Sequence, residues 1–111
     1  MPDRFLPEFE LYLLLAIARL EGDAYGARIR QEIEARTSRP ISIGALYATL
    51  GRLEEKGLVR HGTPEARPGQ RGRPRKYCHL TREGVSALRH STRMLGRMLE
   101  GTRFALGEGG R

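Results

Sequence analysis

Six consecutive residues, Arg71-Gly-Arg-Pro-Arg-Lys76, concentrate more cationic chemistry than any other stretch of the chain. Arginines spaced by Gly72 and Pro74 suit two kinds of contact with a polyanion. In one, the RGRP core works as an AT-hook. Gly72 lets the backbone lie on the floor of a narrow A·T minor groove, where negative potential is enhanced, and Arg71, Arg73 and Arg75 splay along it. In the other, a mobile loop neutralises phosphates and reads no sequence. Other chemically capable residues are sparse. The single cysteine, Cys78, supports neither a disulfide framework nor a thiolate cluster and reads as a small buried hydrophobe. His61 and His79 lack a third ligand type nearby and make a poor metal site. The chain shows no paired carboxylates, no nucleophile with its base and no phosphate-binding glycine loop. Neither enzymatic chemistry nor a metal or cofactor is expected.

A second candidate runs from Ser42 to Gly57. Ile43, Leu46, Tyr47, Leu50 and Leu53 recur at helical spacing and predict an apolar face turned to a core. Ser42 sits where an N-cap belongs, and Gly57 where the chain leaves through a left-handed residue. The other face is unusual: Ser42, Gly44, Ala45, Ala48 and Thr49 are all small, and Arg52 follows them. Small side chains permit close approach to another surface, and a DNA major groove admits such a helix. Arg52 would then meet a phosphate. Tyr47 would bury its ring and present its hydroxyl to the DNA backbone. A helix packed on both faces inside a small bundle produces the same pattern.

These residues need a scaffold, and 111 residues provide one small domain. The net charge is +7, most of the excess lying between residues 58 and 76, which favours nucleic acid over a membrane surface. The longest apolar run, Leu11 to Ala18, is too short for a bilayer span or a secretory segment, and the single cysteine fits a reducing cytoplasm. Pro7 opens a helix with Glu8 and Glu10 in its first turn. From Phe9 to Leu20 that helix is apolar on nearly every face, hence central and buried. Asp23 is placed to cap a second helix, Tyr25 to Thr37. Its Tyr25, Ile29 and Ile33 face inward, while Arg28, Arg30, Gln31, Glu32 and Glu34 face water. Thr37-Ser-Arg-Pro40 then turns the chain directly into the small-faced helix, a helix-turn-helix order. Leu58 to His61 and Tyr77 to Leu80 are β-prone and flank the basic loop, forming a wing. Thr81 caps a last helix over residues 82–104, whose apolar stripe holds Val85, Leu88, Leu95 and Leu99, widened by Met94 and Met98. A second copy of the chain is the expected partner for Val85, Leu88, Leu95, Met98 and Leu99; folding back onto Leu11–Leu20 is the alternative.

The expected class is therefore mainly α with a small β-hairpin. A winged helix-turn-helix domain covers 7–81, a dimerisation helix 82–104 and a disordered tail 105–111. Several blocks carry a family resemblance: Asp23-Ala-Tyr-Gly26, Ile29 to Glu34, Ser42 to Tyr47, Arg52-Leu-Glu54, Gly57-Leu58, Arg75-Lys-Tyr77, Leu80-Thr81 and Gly84. In this order and spacing, from about Leu11 to Leu88, the chain resembles the PadR family of bacterial transcriptional regulators. The resemblance implies a winged-helix DNA-binding domain, a C-terminal helix completing a homodimer, and repression relieved by a small molecule. Carried over by position, Ser42, Gly44, Ala45, Tyr47 and Thr49 fall on the recognition helix, and Arg71 to Lys76 on the wing. The chain departs from some members in having a single C-terminal helix and no tryptophan, so neither a separate effector domain nor an aromatic drug clamp is implied. The expectation is a homodimeric repressor on a pseudo-palindromic double-stranded operator. An effector pocket between the last helices would involve Met94, Leu95, Met98 and Phe104. The competing expectation is a winged helix that docks a protein and reads no DNA.

Overall fold

The computed structural model describes residues 6–62 and 76–102. Its elements run α1 (Glu8–Leu20), α2 (Gly26–Thr37), α3 (Ile43–Glu55), β1 (Val59–Gly62), β2 (Tyr77–Leu80) and α4 (Arg82–Leu99). The α1 helix is the centre of the fold. Leu13, Leu14, Ala16 and Ile17 are buried on it, and α2, α3, α4 and β2 all pack against it. Pro7 stands one position earlier than expected, as the N-cap, with φ −55° and ψ 152°. Glu21 and Gly22, both at positive φ, end the helix. The following strand-like segment lies beside the hairpin, where the Ala24 carbonyl accepts from the Cys78 amide at 2.7 Å.

Asp23 does not cap α2. Tyr25 is the N-cap and its side chain makes no capping hydrogen bond to the helix, while the Asp23 carboxylate pairs with Arg28 at 3.5 Å. The turn from α2 to α3 is held by side chains, among them Glu34, which the sequence pattern places facing water. Glu34 Oε2 accepts from the Ile41 amide at 2.8 Å. Thr37 Oγ1 donates to the Ile33 carbonyl at 2.8 Å and accepts from the Arg39 amide at 3.2 Å. Ser38 takes the left-handed conformation that reverses the chain.

The α3 ends are as expected: Ser42 Oγ accepts from the Ala45 amide at 3.1 Å, a cap worth about 1 kcal/mol, and Gly57 leaves at φ +77°. Leu46, Leu50 and Leu53 join the core formed by α1 and α2. The two strands pair antiparallel, with Val59 opposite Leu80 and His61 opposite Cys78. His61 and His79 are thus not cross-strand partners.

Thr81 fastens α4 to the end of α3. Its hydroxyl donates to the Gly57 carbonyl at 2.6 Å and accepts from the Gly84 amide at 2.9 Å. Gly84 lies so close to the Leu58 carbonyl that any Cβ there would collide with backbone. Ala87 and Leu88 pack on the core, which is the fold-back alternative realised over the first half of α4. The helix ends at Leu99, five residues short of expectation, and Gly101 follows at φ +78°. Phe104 and the 105–111 tail lie outside the described residues.

Candidate nucleic-acid interface

Ser42, Gly44, Ala45 and Ala48 are all exposed along the first turns of α3. Among the described residues a Cβ on Gly44 would meet nothing within 4 Å, so no packing there asks for glycine. Thr49 leaves this group. It is 1% exposed, and its hydroxyl accepts from Arg52 Nη2 at 2.9 Å on the core side of the helix. Ile43 and Tyr47 depart in the opposite sense. Expected on the core face, they are 49% and 56% exposed. The Tyr47 phenol lies across the N-terminus of α2 against Gly26, where a Cβ would overlap the ring. Its ring is therefore on the surface, and Gly26 makes that placement possible.

The far end of α3 is tied to the chain by charge. Glu10, 3% exposed, receives Lys56 Nζ at 2.7 Å and Arg52 Nε at 3.7 Å. Arg52 thus has an intrachain partner from α1. As a first-turn residue Glu10 already suits the helix dipole, and nothing local in the sequence signals a partner 46 positions away. His61 Nδ1 and Glu54 Oε2, 2.8 Å apart, fasten the hairpin to the same end.

Lys76 is exposed at the entry to β2 and lines an open groove of about 690 Å³ with Tyr25, Tyr47, Gly51, Glu54 and His61. The fold therefore brings one residue of the basic wing beside the exposed tyrosine of α3. Arg71, Gly72, Arg73 and Arg75 lie outside the described residues. Cys78 sits under this groove at 2% exposure. Burial, reinforced by the charge of Glu54, pushes its thiol up to about 11. It stays protonated at neutral pH, as a small hydrophobe rather than a reactive thiolate. Among the described residues no cluster of ligating side chains could hold a metal, and no helix is long and apolar enough to cross a membrane.

On the α4 stripe, Val85 and Leu88 are half-buried, whereas Leu95, Met98 and Leu99 are 51%, 76% and 45% exposed. The sequence pattern of the transcriptional regulator PadR-like family matches residues 14–90. The chain belongs to the PadR-like family. Solved structures agree. A PadR-like transcription factor from Bacteroides fragilis is 27% identical with a TM-score of 0.71, over 87% of this chain and 88% of that one. A PadR family transcription regulator from Clostridium difficile R20291 is 26% identical with a TM-score of 0.68, over 87% and 98%. RosR of H. salinarum is 25% identical with a TM-score of 0.71, over 90% and 83%. No curated protein matches. This PadR-like chain is thus a winged-helix transcriptional regulator of the DNA-binding kind and not an enzyme. The β1–β2 hairpin is the wing of that fold.

Proposed function

We propose that the chain is a cytoplasmic, homodimeric repressor of a pseudo-palindromic double-stranded operator. The observation that carries this reading is the first half of α3, capped by Ser42 and exposed at Gly44, Ala45 and Ala48 without a charge among them. A surface helix facing only water would carry Lys and Glu there, whereas a helix entering a major groove needs side chains short enough for base edges to approach. Tyr47 and Lys76 flank this face, and together with Arg71, Arg73 and Arg75 of the basic loop they supply contacts to the phosphates. Arg52, held by Glu10, positions α3 rather than leading the contact.

The exposed Leu95, Met98 and Leu99 are an apolar surface suited to a second copy of α4. Two recognition helices related by a dyad then read half-sites about one helical turn, roughly 10 base pairs, apart. An apolar effector seated beside Met94, Leu95 and Met98 would alter that separation and relieve repression. The test is Ala45→Glu, which places bulk and negative charge on the face without touching the core. Circular dichroism should show an unchanged fold, and operator binding should fall by about 1,000-fold or more, the lower end of the span between specific and non-specific binding. A folded Ala45→Glu variant with undiminished affinity would overturn this assignment.

A further inference from the structure

We infer that Ile43 is a specificity-determining residue that reads the C5-methyl group of one thymine in each operator half-site. The inference rests on the DNA-binding reading above and adds what the recognition helix looks for. Ile43 is the first residue of α3, immediately after the Ser42 cap, and is half exposed. Its side chain is all hydrocarbon and can neither donate nor accept a hydrogen bond. Its angular position matches that of Leu46 and Leu50, yet they are buried and it is not. The neighbours that share its end of the helix, Ser42, Gly44 and Ala45, are too short to reach as far. Tyr47, one turn later, has its phenol directed across α2 at Gly26, away from the helix tip. Ile43 is thus the large apolar group left at the tip of a helix whose remaining exposed face is built for close approach.

The chemistry of the major groove narrows the partner. Each base edge there offers nitrogen and oxygen donors or acceptors, and thymine alone adds a methyl group. A branched hydrocarbon pressed against cytosine would desolvate its amino group without replacing the lost hydrogen bond to water. Against guanine it would do the same to the N7 and O6 acceptors, and against adenine to the N7 acceptor and the N6 amino donor. Against thymine it buries a methyl instead. The preference therefore arises from apolar contact with one base and a desolvation cost at the other three.

The experiment uses the full chain to select duplexes from a randomised pool. The best-bound duplex is then resynthesised with deoxyuridine in place of each thymine, which removes only the methyl group. At one position per half-site, wild-type affinity should fall roughly fourfold, the equivalent of one buried methyl. Ile43→Ala should bind the thymine and uracil duplexes equally, near the wild-type affinity for uracil. Wild-type binding that ignores uracil at every position would overturn the inference, as would an Ile43→Ala variant that still discriminates. A pool that yields no preferred duplex would overturn the DNA-binding reading and this inference together. A preferred duplex without thymine-methyl dependence would overturn this inference alone.

Discussion

Helices α3 and α4 are both amphipathic, both capped by a hydroxyl residue, and differ in where their apolar stripes end. On α3 the stripe of Leu46, Leu50 and Leu53 is spent on the core, and what remains outside along its first half, Ile43 and Tyr47 apart, is small and uncharged. On α4 the stripe enters the core only through Gly84, Ala87 and Leu88, then continues as Leu95, Met98 and Leu99 in the open. One helix presents a face that a polyanion can approach closely. The other presents a face that water solvates badly. The contrast teaches that a shared periodicity says little about function until the cover over each face is known.

Removing the apolar half of α4 should have the largest effect. The combined variant Leu95→Ser, Met98→Ser and Leu99→Ser removes the exposed stripe while sparing the Thr81–Gly84 anchor. It should sediment as a monomer. Because two linked recognition helices bind with avidity, operator affinity should drop by about 100-fold or more. A triple variant that still dimerises would place the interface elsewhere. The anchor half should respond differently. Gly84→Ala drives a Cβ into the Leu58 carbonyl and should destabilise the fold by about 2 kcal/mol or more, read by urea unfolding. An unchanged midpoint would mean that α4 is not fixed there.

The smallest effect distinguishes a glycine kept for packing from one kept for approach. Gly51 is mid-helix on α3, and among the described residues a Cβ there meets nothing within 4 Å. Gly51→Ala should therefore stabilise the protein by up to about 1 kcal/mol, because glycine is the poorer helix former. Gly51 lines the same groove as Lys76 and Tyr47, so the gain in stability should accompany weaker operator binding. A variant that is more stable and binds equally well would remove that groove from the DNA surface.

Much of this layout was legible from local signals. Hydroxyl residues at Ser42 and Thr81, followed by apolar periodicity, correctly predicted two caps, and Gly57 predicted its own left-handed exit. The β-prone runs around the basic loop located the hairpin to within a residue. What local pattern could not show was set by distant neighbours. Thr49 is small and polar, so a periodicity scored on hydrophobicity placed it outside, although its methyl face suits the core and Arg52 satisfies its hydroxyl. Ile43 has the right angle for burial, but the first turn of α3 lies beyond full cover. Glu10 is buried because Lys56 and Arg52 come to meet it from across the fold. Glu34 was read as solvent-facing, but the Ile41 amide reaches it only because the turn brings α3 back.

The most direct test of the account is sedimentation equilibrium of the unmodified chain, alone and with its selected duplex. The account predicts a species of twice the 12.5 kDa chain mass in the absence of DNA, and two chains on each pseudo-palindromic duplex. A 12.5 kDa species that binds one to a duplex would contradict it.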